Sequence, residues 1–259
     1  MLHFEFTERL HVLLNGNGRT SWLQKPFLFC VAVVLPFFGV AQFVEVSDAL
    51  MIQTDHTGGY LGTGLSFADF NGDGKDDLSF GHHNGLLRFY EGTGIGFEEI
   101  ELQLDFPAVE SKAILWADID NDGDLDLIIT GANAQLADRK TTLYSNDGLG
   151  IFTEINDTGL SNNTEGGDIE FADVDGDGDL DLMLTGRDGS PVYYANFYLN
   201  DGSGNYTLDP SAPFEGSLGG DVDFEDIDND GDLDVFMCGL DNNNTIFSKL
   251  YFNDGTGGF

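Results

Sequence analysis

Positive charge is what this chain most lacks. It has 10 Lys and Arg against 46 Asp and Glu, a formal net charge of −36 over 259 residues. Tracking a phosphate backbone needs patches of Lys and Arg, so nucleic-acid binding is excluded. Direct adsorption to an anionic membrane is excluded for the same reason. Cysteine is nearly absent too. Of its two cysteines, Cys30 lies in an apolar amino-terminal segment. Cys238 stands alone, at the strand position that Thr130 and Thr185 hold elsewhere, and reads as a small core residue. No disulfide framework can be built from this pair. Long apolar runs are missing as well: the stretch from Phe27 to Phe38 is too short to span a bilayer comfortably. Preceded by Lys25 and followed by Gly39-Val40-Ala41, it reads as a secretory signal over residues 25–41, cleaved to leave Gln42 as the new terminus. Residues 1–24 precede this signal, as a misassigned start or an extended signal would produce. The mature chain, residues 42–259, is then expected to be exported with no transmembrane segment. Nucleophile elbow, His-Glu-x-x-His, P-loop and Cys-pair motifs are all absent, so the expectation is a protein that is not an enzyme.

What the chain has in excess is acid, and it is ordered. Four loops share one spacing: Asp69-Phe70-Asn71-Gly72-Asp73-Gly74-Lys75-Asp76-Asp77, Asp118-Ile119-Asp120-Asn121-Asp122-Gly123-Asp124-Leu125-Asp126, Asp173-Val174-Asp175-Gly176-Asp177-Gly178-Asp179-Leu180-Asp181 and Asp226-Ile227-Asp228-Asn229-Asp230-Gly231-Asp232-Leu233-Asp234. Each places side-chain oxygens at loop positions 1, 3, 5 and 9 and a Gly at position 6. A hard divalent cation takes about six to eight oxygen ligands, and alternate side chains of a short loop can converge to supply them. The expected ion is Ca²⁺, about one per repeat and four in the chain. The expected ligands are the side chains at positions 1, 3, 5 and 9, with the position 7 carbonyl of Lys75, Asp124, Asp179 or Asp232 added. Turn formation alone would not demand carboxylates at positions 1, 5 and 9 in every copy.

The opening of each loop is like that of an EF-hand, but an EF-hand closes with a bidentate Glu at position 12. Here position 12 holds Phe80, Ile129, Leu184 or Met237, none of which can be a ligand. The short apolar runs that follow, such as Leu127-Ile128-Ile129 and Leu182-Met183-Leu184, read as buried strands. The loops are therefore expected to join strand to strand.

The loops belong to a longer repeat. The aromatic residues Phe43, Phe97, Phe152, Tyr206 and Phe259 recur roughly every 54 residues. They bound units 43–97, 97–152, 152–206 and 206–259. Phe67, Trp116, Phe171 and Phe224 stand two residues before the loops and are expected in the core between repeats. Aromatic-bearing strands around Tyr90, Tyr144, Tyr198 and Tyr251 lead to hairpin turns, which read Asn-Asp-Gly in the last three units. Each unit holds about four short antiparallel strands. The predicted fold class is all-β, with the units as blades of a β-propeller.

The loops and their period resemble the FG-GAP/VCBS repeats, the calcium-binding blades also found in the integrin α-subunit propeller. The resemblance covers nearly all of residues 43–259 and rests on the metal loop, since the repeats carry no clear Phe-Gly…Gly-Ala-Pro text. It implies calcium ligands at loop positions 1, 3, 5, 7 (carbonyl) and 9, and a propeller of about seven blades. On that count the four units are part of a larger ring, truncated at the carboxyl end. Asn71, where sister loops have Asp, is expected to make the first site the weakest.

Two functions fit. The first is a secreted or cell-surface scaffold for binding or adhesion, rigidified by calcium, whose partner is an extracellular protein or glycan. The alternative is the propeller portion of a secreted polysaccharide-active enzyme, a lyase or hydrolase, with its catalytic part elsewhere. Residues that break the repeat are where function could concentrate: His82 and His83, Asp138-Arg139-Lys140 and Arg187-Asp188-Gly189-Ser190-Pro191.

Overall fold

The computed structural model describes residues 64–81, 87–104, 110–132, 139–162 and 166–259. The signal segment, Phe43, His82, His83 and Asp138 lie outside them. The described residues form fifteen strands: β1 (Leu65–Ala68), β2 (Asp77–Gly81), β3 (Leu87–Gly92), β4 (Phe97–Ile100), β5 (Glu110–Ala117), β6 (Asp126–Ala132), β7 (Arg139–Asn146), β8 (Phe152–Ile155), β9 (Ile169–Ala172), β10 (Asp181–Gly186), β11 (Tyr194–Asn200), β12 (Tyr206–Leu208), β13 (Val222–Glu225), β14 (Asp234–Leu240) and β15 (Ile246–Tyr251).

The strands make four antiparallel meanders, β1-β2-β3-β4, β5-β6-β7-β8, β9-β10-β11-β12 and the three-stranded β13-β14-β15. The protein is all-β, and its sheets are built as propeller blades. Phe97, Phe152 and Tyr206 open the fourth strand of the first three sheets. Register repeats from sheet to sheet: Phe67 pairs with Leu78, Trp116 with Leu127, Phe171 with Leu182 and Phe224 with Val235.

The second strands of the second and third sheets, β6 and β10, are apolar without alternation because both of their faces are covered. Leu127, Ile128 and Ile129 are all buried, as are Leu182, Met183 and Leu184. A half-buried strand would alternate apolar with polar residues instead. Three apolar clusters fill the joints. The first joint holds Phe70 and Phe89 against Ile114, Trp116, Leu127, Ile129 and Tyr144. The second sets Ile119, Ile128 and Leu143 against Ile169, Leu182, Leu184 and Tyr198. The third sets Val174, Met183 and Phe197 against Val222, Val235 and Met237.

Two sequence expectations are corrected here. Phe67 is exposed, whereas its counterpart Trp116 is buried. These aromatics point toward the preceding sheet, as Trp116 does in stacking on Phe70 at 4.7 Å. No sheet precedes the first among the described residues. Cys238 is only half-buried, although Thr130 and Thr185 are buried. It lies on the face of β14 that no further described sheet covers.

Candidate metal centres

Each acidic loop spans the turn between the first and second strands of its sheet. The loop is pre-shaped by its own carboxylates. In three loops the position 1 side chain accepts the backbone N–H groups of positions 5 and 6: Asp69 from Asp73 and Gly74 at 2.9 and 2.8 Å, Asp118 from Asp122 and Gly123 at 3.1 Å each, and Asp226 from Asp230 and Gly231. Asp173 accepts only from Gly178, at 3.1 Å. The position 5 carboxylate accepts the N–H of position 7, from Lys75, Asp124, Asp179 and Asp232 in turn. Position 6 takes a positive φ between 83° and 103° in the four loops, a conformation costly for any residue with a Cβ.

Three of the loops gather carboxylate oxygens within 4.8 Å of one another: Asp118, Asp120 and Asp126; Asp173, Asp175 and Asp177; Asp226, Asp228 and Asp230. Two oxygens in these groups are buried and accept no hydrogen bond, Asp120 Oδ1 and Asp173 Oδ1. A buried carboxylate oxygen without a partner is costly. Burial, and then the neighbouring carboxylates, push the Asp120 carboxyl above its ordinary range, and burial does the same for Asp175. A donor set made only of anionic oxygens, two of them orphaned, fits a hard cation.

The first loop is different. Lys75 Nζ forms an ion pair with Asp73, so the loop carries its own cation. Asn71 offers an amide oxygen, which accepts the Asp73 N–H at 3.0 Å. The ammonium holds the Asp73 carboxyl below its usual range, chiefly through their hydrogen bond. In the sister loops, the position 7 side chain turns away from the cluster and packs over the next hairpin. A Cβ on Gly148 would stand 2.2 Å from Asp124 Oδ2, and Asp179 and Asp232 crowd Gly202 and Gly255 likewise. Asp179 also accepts Asn121 Nδ2 of the preceding loop at 2.7 Å. Only the carbonyls of Asp124, Asp179 and Asp232 are left as ligand candidates at that position.

Position 9 does double service. Asp77, Asp126, Asp181 and Asp234 are all buried. One oxygen of each accepts the N–H of loop position 2, on Phe70, Ile119, Val174 or Ile227, at 3.1–3.2 Å. The other accepts an N–H at or just past the end of the third strand, from Gly92, Asn146, Asn200 or Asn253, at 2.8–3.0 Å. This carboxylate ties loop to hairpin through two backbone N–H groups. Burial pushes Asp126 and Asp181 up to about 6 and raises Asp77.

Sequence reasoning assigned the Asn-Asp-Gly asparagines to turns and missed their main role. Asn146 Nδ2 donates to Phe70 O at 3.3 Å, Asn200 Nδ2 to Ile119 O at 2.8 Å and Asn253 Nδ2 to Val174 O at 2.7 Å. Each amide also donates to its own loop, at Leu125, Leu180 or Leu233. One side chain thus joins two consecutive acidic loops. The signal was an Asn recurring at or just past the end of the third strand. A second feature missed is a set of acids on or just before neighbouring first strands, Asp168 and Glu170 at β9 and Asp221 and Asp223 at β13. Burial, then these neighbours, pushes Glu170 up to about 7. Of the pattern-breaking loops, Lys140 is paired with Glu154 at 2.6 Å, and Asp188 caps a turn through the Ser190 N–H.

A family model for FG-GAP-like repeats matches residues 69–129, 118–184 and 174–237. The chain belongs to the FG-GAP-like repeat family. It is 30% identical to cartilage acidic protein 1 of Xenopus tropicalis over 155 residues, 57% of this chain and 24% of that protein. It is 27% identical to human cartilage acidic protein 1 over 178 residues, 66% of this chain and 26% of that protein. The chain therefore spans about a quarter of the length of these relatives. Among solved structures it is similar to a lectin from Agrocybe aegerita that recognises non-reducing terminal N-acetylglucosamine. That match has a TM-score of 0.51 and 18% identity, covering 77% of this chain and 51% of the lectin. The likeness is one of fold. Among the described residues, no helix is long and apolar enough to cross a membrane.

Proposed function

We propose that this chain is an extracellular binding or adhesion scaffold whose blades are held rigid by Ca²⁺. The observation that carries the calcium part is the pair of buried, unpartnered oxygens, Asp120 Oδ1 and Asp173 Oδ1, inside groups of converging carboxylates. The ion would be held by loop positions 1, 3, 5 and 9 and the position 7 carbonyl. It would neutralise carboxylates that otherwise repel one another. Its role is to staple strands, with no reaction routed through it.

Export agrees with this chemistry. Extracellular modules work with calcium sites as weak as about 10⁻⁴–10⁻³ M. The amino-terminal signal reading points the same way. The partner is an extracellular protein or glycan that meets the loops at the blade edges. A lectin of the same fold supports the glycan class, and relatives named for an acidic protein of cartilage fit the acidic surface. The reading is one of binding rather than catalysis.

The test is to immobilise the calcium-loaded chain and probe it with a glycan array and with extracellular-matrix extracts, in calcium and in chelator. Retention that disappears with chelator supports the scaffold reading. Turnover of a polysaccharide by the isolated chain would overturn it.

A further inference from the structure

The first loop alone joins an asparagine to a glycine at positions 3 and 4. Position 3 holds Asn71, Asp120, Asp175 and Asp228 in the four loops, and position 4 holds Gly72, Asn121, Gly176 and Asn229. The backbone is shared, since position 4 has a φ of 71°, 59°, 76° and 63° in turn. The hydrogen bond made by position 3 recurs as well. Asn71 Oδ1 accepts the Asp73 N–H at 3.0 Å, and Asp175 Oδ1 accepts the Asp177 N–H at 3.2 Å. A carboxylate therefore fits where Asn71 stands, with no change in the shape of the loop. Asn71 and Gly72 are both exposed. Neither the Gly72 N–H nor Asn71 Nδ2 donates a hydrogen bond among the described residues. Nothing lies within 4 Å of the place that a Cβ on Gly72 would take.

We propose that Asn71 is a self-modification site, where deamidation through the Gly72 nitrogen gives the first loop the position 3 carboxylate that its three sisters encode. The bond to the Asp73 N–H folds the Asn71 side chain back over the following peptide, which sets Cγ beside the Gly72 nitrogen. That nitrogen gives up its proton and attacks Cγ, forming a new C–N bond. Negative charge develops on Asn71 Oδ1, where the Asp73 N–H already points, as a donor in an oxyanion hole does. The bond from Cγ to Nδ2 then breaks, and ammonia leaves with the proton. Water opens the resulting five-membered imide. Attack at the side-chain carbonyl gives Asp, and attack at the main-chain carbonyl gives an isoaspartyl link with an extra methylene in the backbone. Gly72 has no side chain to shield its nitrogen, whereas Asn121 and Asn229 carry one at that position in sister loops. No oxidant, reductant or cofactor is consumed. The chemistry stands apart from calcium, while its effect on the first site rests on the calcium reading.

The experiment warms the full chain in chelator, at mildly alkaline pH and in heavy-oxygen water, and maps it by peptide mass spectrometry. The expected product is an acid at residue 71 carrying a single heavy oxygen, formed several-fold faster than acid at Asn121 or Asn229. Gly72→Asn introduces the residue type that two sister loops hold at position 4, and should slow the conversion several-fold without lowering the melting temperature. An amide retained at Asn71 while Asn121 and Asn229 convert would overturn the proposal, as would equal conversion in the Gly72→Asn protein. A product that is isoaspartyl throughout would overturn it too. The aspartyl product, separated by anion exchange, is expected to bind calcium as the Asn71→Asp protein does. If Asn71→Asp binds calcium as the parent does, the calcium reading of this loop fails and the modification stands on its mass signature. If Asn71→Asp tightens the site and the aged aspartyl chain does not follow it, the proposal fails.

Discussion

Asn253 Nδ2 lies 2.7 Å from Val174 O and 3.1 Å from Leu233 O, so one buried amide clamps the third and fourth acidic loops together. Asn200 does the same for the second and third. Replacing either by Ala leaves two buried carbonyls without donors, at a cost of about 1–3 kcal/mol. Asn→Asp at these sites should cost more, because a carboxylate would face the carbonyls. Denaturant melts of Asn200→Ala and Asn253→Ala check this. Unchanged midpoints would mean the clamp is incidental.

The position 9 carboxylates should matter even without metal. Asp126 accepts the N–H groups of Ile119 and Asn146 from a buried position. Asp126→Ala is expected to destabilise the chelated protein by about 2–4 kcal/mol. Asp122→Ala, in an exposed part of the loop, should instead act mainly by reducing the gain from calcium. Paired melts of both variants, with and without calcium, separate the two roles.

The first loop should be the poorest calcium site. It has Asn71 at position 3 and Lys75 ion-paired to Asp73. Asn71→Asp and Lys75→Asp, the second restoring the residue found at position 7 of the sister loops, should each tighten it. Calcium titration by calorimetry is the check, and titrations that match the parent would remove the first loop from the account.

Acid should strengthen the calcium-free protein. Glu170 is raised to about 7 and Asp168 to about 6, both first by burial. A carboxyl whose folded pKa lies above its unfolded value contributes stability that is full below the unfolded pKa and is lost as pH rises through the folded one. Chelated protein is therefore expected to melt higher at pH 5 than at pH 7.5. Glu170→Gln should flatten that dependence and raise the melting temperature at pH 7.5.

How much of this could be read in the sequence depended on whether a feature repeated. The loops, the strand on either side of them and the four-strand unit were legible because Asp, Gly and apolar residues return in phase through four copies. The all-β sheets follow from that phase. Partners across joints were not legible, because the asparagine amide and its carbonyl are 79 residues apart for Asn253 and Val174. Nor does a local pattern reveal that position 9 is committed to two backbone N–H groups. Phe67 and Cys238 were misjudged because their burial depends on a neighbouring sheet rather than on their own strand. Lys75 was noted only for its carbonyl, since spacing does not show where a flexible ammonium will settle.

The central claim is that calcium staples the blades. The most direct measurement is a thermal melt of the chain in millimolar calcium and again in chelator. A site held at about 100 times its Kd adds about 2.7 kcal/mol of stability. The account predicts a large rise in melting temperature with calcium, diminished by Asp120→Asn and Asp173→Asn. Identical melts in calcium and chelator would contradict it and reduce the loops to turns.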